Sequence, residues 1–501
     1  MENFKSNYKS SDVRLVLLVN GYEADTAVTV RVRGEKEFHQ ELALGPGQTG
    51  TVEVTPCNEV TGSQLTTKTV TLSANKGVTV TSLSAKPLSA DTAVVPPLCA
   101  LGTTYYVFTP PTGAKEMLKE FGVVNAGTAN RVTVRLSQAA RFEGHLHPKG
   151  DTLTLSLAPY QSALIQSQND LTGTKVEGSV PFALVSGHSC SMVRFKCNHV
   201  YEHLPPVGRW GTEYVAVPTT SQRKYDQLYV VASEPTMVRA STERAPRTLK
   251  EGEASWFKLS RDWPVVLSAD KPIMVLHFSP GGKRSRNTGY DPFLTVLAPS
   301  PQFASSYVTQ ALHGFRNFLT VVARTGHTGR VLLDQREVGA AWKAVPNAEY
   351  SWAEVELGSE EGRHEVRAAD NETIGVYVHG TANMNAYGSQ GNAEGQQGSD
   401  DPCSLSQCGS LPHCARWNGS VCWAFGDPHY RTFDGVVYDF QGTCTYTFAK
   451  SCVRDPSLPA FSIHTRNDNR GSSRVSLTMM VTVEVYGHTI TALKTELGRV
   501  R

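Results

Sequence analysis

Alternation dominates this chain. Residues 26–33 (TAVTVRVR), 78–82 (VTVTS), 131–136 (RVTVRL) and 152–157 (TLTLSL) place an apolar side chain at every second position. A period of two sends one face to a core and the other to water, the pattern of half-buried antiparallel strands. Helical periodicity is scarce, and residues 115–121 (KEMLKEF) carry the one or two helical turns the sequence predicts. With 42 Gly and 27 Pro in 501 residues, the expectation is an all-β chain with many turns.

The strands repeat in groups. "LLVNGYEADTAVTVRV" (17–32) resembles "GVVNAGTANRVTVRL" (122–136), with weaker copies at 229–241 and 320–333. A companion element recurs as "LGTTYYVFTPP" (101–111), "WGTEYVAVPTT" (210–220) and "FASSYVTQA" (303–311). A third recurs as "SVPFALVSGHS" (179–189), "DKPIMVLHFSP" (270–280) and "NETIGVYVHGT" (371–381). The spacing is roughly 90–110 residues, too long for a propeller blade of ~40–50 and right for a β-sandwich of ~100. Four tandem antiparallel β units are predicted, sandwich-like, with a propeller of elaborated blades as the alternative.

Lys plus Arg is 48 against 46 Asp plus Glu, a formal charge of +2, which argues against a nucleic-acid binder. The longest early aliphatic run, residues 15–19, is far short of the ~20 needed to span a membrane. Ten cysteines are unevenly placed. Cys57, Cys99, Cys190 and Cys197 are scattered; Cys403, Cys408, Cys414, Cys422, Cys444 and Cys452 cluster. Clustered cysteines point to an oxidising, extracellular compartment. Residues 1–6 lack the basic and apolar regions of a signal peptide, so the chain is expected to be cut from a longer one.

The predicted organisation is a polar N-terminal segment (1–11), a repeated β region (12–386), a flexible linker (387–402), a cysteine-rich connector (403–421) and a further β domain (422–501). Cys190 and Cys197 are close enough to pair across a turn; Cys57 with Cys99 is the remaining upstream option, against free buried thiols. The clustered six allow 15 pairings.

Several motifs read as structure. Residues 45–50 (GPGQTG) match GxGxxG, but a strand follows where a dinucleotide site needs a helix, so a hairpin turn is expected. His145 and His147 share a strand face without a further metal ligand. Residues 283–286 (KRSR) form a basic turn suited to a solvated loop, an acidic glycan or a processing enzyme. Asn371 and Asn418 head N-glycosylation sequons. No HExxH, GxSxG or Walker-type loop occurs, so no enzyme is expected.

The most specific stretch runs from Cys422 to Cys452. It carries Gly426-Asp427-Pro428-His429-Tyr430, Thr432-Phe433-Asp434-Gly435 and Tyr438-Asp439-Phe440-Gln441-Gly442, then Cys444 and Tyr446. This resembles the opening of a von Willebrand factor type D domain, here truncated. With that segment placed, the upstream "VNGYEADTAVTV", "YYVFTPP" and "DKPIMVLHF" resemble the N-terminal region of the IgGFc-binding protein family. The resemblance is diffuse over residues 10–385 and sharp over 422–452. Mucins and zonadhesin-like or tectorin-like proteins resemble the second part alone.

The resemblance implies a secreted, non-enzymatic mucus glycoprotein. Its implied partners are immunoglobulin Fc or mucin-like glycoproteins, with disulfide-linked or homo-oligomeric assembly and neither nucleic acid nor a membrane span. The alternative is a zonadhesin-like or tectorin-like adhesion or matrix protein. Calcium is the cofactor it allows, with Asp434 as a ligand. The family's other ligands lie in a later Asn/Asp-rich loop, and Asn467-Asp468-Asn469 does not align with it. The resemblance also implies autocleavage at Asp427-Pro428. The Asp427 carboxyl would attack its own peptide carbonyl, the Pro428 nitrogen would leave, and His429 would assist proton transfer. In the family, the first type D cysteine, here Cys422, bonds to one further along.

Overall fold

A computed structural model describes residues 1–3, 13–32, 38–111, 117–192, 197–219, 221, 225–283, 289–369, 372–393, 423–425, 429–431, 437–450, 461–469, 476–485 and 488–494. The chain is all-β and divides into two compact units, Met1–Ala415 and Arg416–Arg501.

The larger unit holds four copies of one strand plan. In each, two strands of the repeat lie in different sheets of a sandwich. In the second copy these are Lys119–Asn125 and Asn130–Arg135. A long strand, Lys175–Ser191, joins the sheets. Its first half pairs with Asn130–Arg135 and its second with Lys119–Asn125. Pro181 lies between the halves, where the ladder shifts register and no donor is needed. The third copy repeats this with Val265–Ser279, its halves paired to Thr236–Ala240 and Tyr225–Ala232. In the fourth copy the long strand is broken into Gly362–Ala368 and Ile374–Ala382, and in the first into Val70–Ala74 and Val78–Lys86.

The companion element opens the last three copies as Gly102–Tyr106, Gly211–Ala216 and Ser306–Ala311. Each is fixed by a tyrosine whose hydroxyl accepts from the amide three residues earlier: Gly102 to Tyr105 at 2.9 Å, Gly211 to Tyr214 at 3.1 Å and Ala304 to Tyr307 at 2.8 Å. Tyr105 and Tyr214 also donate to the Phe182 and Ile273 carbonyls, each at 2.5 Å. The glycines sit on the next connector, so a methyl on Gly102 would collide with Pro206 and one on Gly211 with Pro299.

The four copies form a closed ring. A core shared by the second and third copies includes Phe108, Val231, Met274 and Phe278. Val215, Val322 and Trp352 join the third to the fourth. Val16 and Leu18 meet Leu312 and Tyr387, returning the fourth to the first. Gln310 donates to Asn20 at 2.7 Å across that last seam.

Three expectations are corrected. Residues 119–121 are strand, because Phe121 and Val123 are fully buried in the sandwich and tertiary burial outweighs helix propensity. The turn at 45–48 joins strands of two sheets, Phe38–Leu44 and Thr49–Val54, and is not a hairpin. The linker does not begin at 387: Asn385–Gln390 is a strand of the ring, with Tyr387 buried and its hydroxyl 2.7 Å from Asn317 Oδ1.

Candidate binding region

The ring is centred on its four last strands: Ser89–Val94, Asn198–Leu204, Phe293–Val296 and Asn385–Gln390. Each pairs on one side within its own sheet and meets its neighbours in the ring on the other. An edge strand turned inward presents amides and carbonyls that need partners. Buried side chains supply them. The Asn198 amide nitrogen lies 2.8 Å from the Ala90 carbonyl, 2.9 Å from that of Pro292 and 2.8 Å from that of Ala386, one in each other copy. Its Oδ1 accepts from Ser89 and from the Ala90 amide, both at 3.0 Å. Asp91 accepts from the Tyr201 and Gly388 amides, each at 3.2 Å, and Glu202 from that of Val296 at 3.2 Å.

This hub is electrostatically unusual. Burial holds the carboxyls of Asp91 and Glu202 well above the usual range, and Asp91 raises Glu202 further. Burial pushes Glu120 up to about 8; it accepts from Gln166 at 2.8 Å, and Gln166 also donates to Glu2 at 2.9 Å. Burial lowers His203 to about 4, and His188 and His379 to about 3. His379 is stacked between Phe293 and Phe318 and lies 2.9 Å from Ser221 Oγ. The nearby carboxylate, Asp226, bonds a different histidine, His277, at 2.9 Å. No one histidine therefore joins this serine to this aspartate as a nucleophile relay needs.

Cys190 and Cys197 form a disulfide, with Cα atoms 4.9 Å apart, and Cys197 directly precedes the hub strand Asn198–Leu204. The Cys57–Cys99 pairing is not made. Cys57 carries a free, exposed thiol in the turn Pro56–Asn58, whereas Cys99 sits in the separate turn Leu98–Ala100 that leads to the second copy. His145 is exposed, and His147 is bonded to Asp151 at 2.8 Å. Among the described residues no group of three His, Cys, Asp or Glu could hold a metal ion. Among them, too, no helix is long and apolar enough to cross a membrane.

The smaller unit shows what its motif residues do structurally. His429–Arg431 pairs with Trp423–Phe425 and Val437–Asp439, with His429 opposite Asp439. A four-stranded sheet follows, in the order Thr445–Lys450, Phe461–Asp468, Leu477–Val485, His488–Leu493. Tyr430 is buried against Phe440 and Phe448, and its hydroxyl accepts from Asn467 at 2.8 Å. Thr478 donates to the Asn467 Oδ1 at 3.0 Å. Both ends of the Asn467 amide are thus engaged within the fold. Cys444 is exposed. Asp427, Pro428, Asp434, Asn371, Asn418, Cys403, Cys408, Cys414, Cys422, Cys452 and residues 284–286 lie outside the described residues.

Comparison with known proteins follows this division. Residues 91–380 match the family model described as IgGFc binding protein, and residues 422–500 match the von Willebrand factor type D domain. The chain belongs to the IgGFc-binding protein family. It is 35% identical to the IgGFc-binding protein of Homo sapiens over 99% of its own length and 9% of that protein's. It is 42% identical to alpha-tectorin of Mus musculus over 19% of this chain and 4% of that one. With zonadhesin of Homo sapiens it shares 36% over 19% of this chain and 4% of that one. The family's matched region begins at the first hub strand and ends in the fourth copy, so it covers most of the ring. Sequence reading missed Asn198, Asp91 and Glu202. Polar residues inside the stretches "SADTAV" and "NHVYEHL" were the available signal.

Proposed function

We propose that this chain is part of a secreted, non-enzymatic binding and structural glycoprotein whose four-copy ring binds immunoglobulin Fc or a mucin-type glycoprotein. The observation that carries the reading is the likeness to human IgGFc-binding protein along 99% of the chain, ring and type D segment in the same order. The ring presents loops from rigid sandwiches, the arrangement on which binding residues are commonly carried. The type D segment serves assembly, through cysteines of the 403–452 cluster, and Asp427-Pro428 is a bond that breaks in mild acid. Calcium at Asp434 would need ligands from elsewhere in a longer chain. An adhesion or matrix role is favoured by the tectorin and zonadhesin matches, each of which covers 19% of the chain.

Immobilised Fc and immobilised mucin, each presented to the 501-residue chain, test the reading. Saturable capture by either supports it, and capture by neither contradicts it. The mass after reduction, following incubation in mild acid, tests the cleavage. Two fragments meeting at Asp427-Pro428 are expected, and a single uncut chain would sink that part.

A further inference from the structure

In the second, third and fourth copies, the first half of the long strand has a neighbour on both sides. The opening strands cover one edge, with Tyr105 opposite Val176, Tyr214 opposite Leu267 and Tyr307 opposite Val366. Val176, Leu267 and Val366 are each 0% exposed as a result. The first copy has the same half-strand, Val70–Ala74, paired to Thr26–Val32 with Val30 opposite Leu72. That matches Val134 opposite Val176 in the second copy. Among the described residues no strand pairs with the other edge of Val70–Ala74. Leu72 stands where Val176 stands, yet it is only half-buried, and Val70 is 39% exposed. In front of this edge lies a groove of about 1650 Å³, lined by Leu15, Leu17, Val54, Leu72 and Val78 and, from the second copy, Tyr160. Small-molecule sites are commonly ~300–1,000 Å³, so this space suits a longer occupant.

We propose that the groove accepts an extended polypeptide strand from a partner segment. It adds antiparallel to Val70–Ala74 and resembles the strands that open the other three copies. Those strands define its chemistry: a small residue, a hydroxyl residue, any residue, then tyrosine, with little charge. Residues 102–108 (GTTYYVF) and 304–307 (ASSY) both fit. The strand's backbone satisfies the open edge, the main source of affinity in strand addition, while the groove reads alternate side chains. Its tyrosine lies opposite Leu72 over Leu15 and Leu17. The hydroxyl reaches toward the carbonyl of Thr79, the residue opposite Asn20 as Phe182 is opposite Asn125. The groove is continuous with the seam between the first and second copies, so the added strand extends an interface the ring already has. Nothing in this assignment depends on which glycoprotein the ring binds.

The test uses the whole chain and a fluorescent peptide of sequence GTTYYVF, read by anisotropy. Saturable binding is expected, weakened at least tenfold when the first tyrosine is replaced by alanine or the sequence is scrambled. Leu72→Lys in the protein should abolish it. Because that variant risks the fold, Val70→Lys at an exposed edge position is the second, expected to melt like the parent and bind at least tenfold more weakly. Absence of binding, equal binding of the scrambled peptide, or undiminished binding to Val70→Lys would each overturn the proposal. The last two would mark the groove as a general apolar surface or the peptide as bound elsewhere.

Discussion

Val176 in the second copy and Leu72 in the first occupy the same place in the same strand plan, and they differ in what covers them. Val176 lies between Val134 and Tyr105 and is sealed from water, while Leu72 has Val30 on one side and a groove on the other. Alternating sequence is the same in both, so patterning alone does not decide burial. The neighbour strand does. An apolar side chain contributes its full burial only when the sandwich around it is complete.

That contrast can be broken at several points. The largest effect is expected at the centre both copies share. Asn198→Leu removes the donor for the Ala90, Pro292 and Ala386 carbonyls and should cost about 3 kcal/mol or more, seen as a lower midpoint in denaturant unfolding. A loss under about 1 kcal/mol would mean the copies hold together without it. Next comes the direct comparison. Leu267→Ala, in a covered edge, should cost about 3 kcal/mol, whereas Leu72→Ala in the open edge should cost about 1 kcal/mol. Equal costs would show that Leu72 is as well packed as its counterpart. Tyr214→Phe deletes a hydroxyl bonded to two backbone groups and should cost about 1–2 kcal/mol, read by thermal melting.

A further effect depends on pH, at the seam between the first two copies. The folded Glu120 carboxyl titrates at about 8 against 4.5 for the free side chain. A raised acid pKa stabilises the fold below the free value, and that contribution is lost as pH rises from 4.5 to about 8. Glu120→Gln should therefore match the parent near the bottom of that window and gain on it progressively toward the top. Two histidines act in the opposite sense. His188 and His203 favour the fold above 6.5, and this is lost as pH falls toward about 4 and then about 3. A melting-temperature difference between Glu120→Gln and the parent that stays flat across the window would contradict the assignment.

Much of the ring was legible in the sequence for one reason: its sandwich strands bury one face, and a half-buried strand writes its period into the chain. The recurring tyrosines were visible as a repeat, although only the structure shows that Tyr105, Tyr214 and Tyr307 each hold an amide three residues back. The hub was not legible. "SADTAV" and "NHVYEHL" carry buried Asp91, Asn198 and Glu202 because inward-facing edges need polar partners, so alternation fails there. The same cause hid Asn385–Gln390, whose Gly, Ser and Gln read as linker while Tyr387 alone marked a core. Residues 119–121 misled through helix formers that tertiary burial overrides. The type D motif was legible by its spacing. That Tyr430 and Asn467 hold one another was not, since 37 residues separate them.

Hydrogen exchange of the free chain tests the open edge most directly. Amides of Val70–Ala74 that face the groove should exchange at least tenfold faster than those in the first halves of the long strands Lys175–Ser191 and Val265–Ser279, and should slow on adding the GTTYYVF peptide. Equal protection of all three segments in the free chain would show that the first copy's edge is already closed, and would contradict the account.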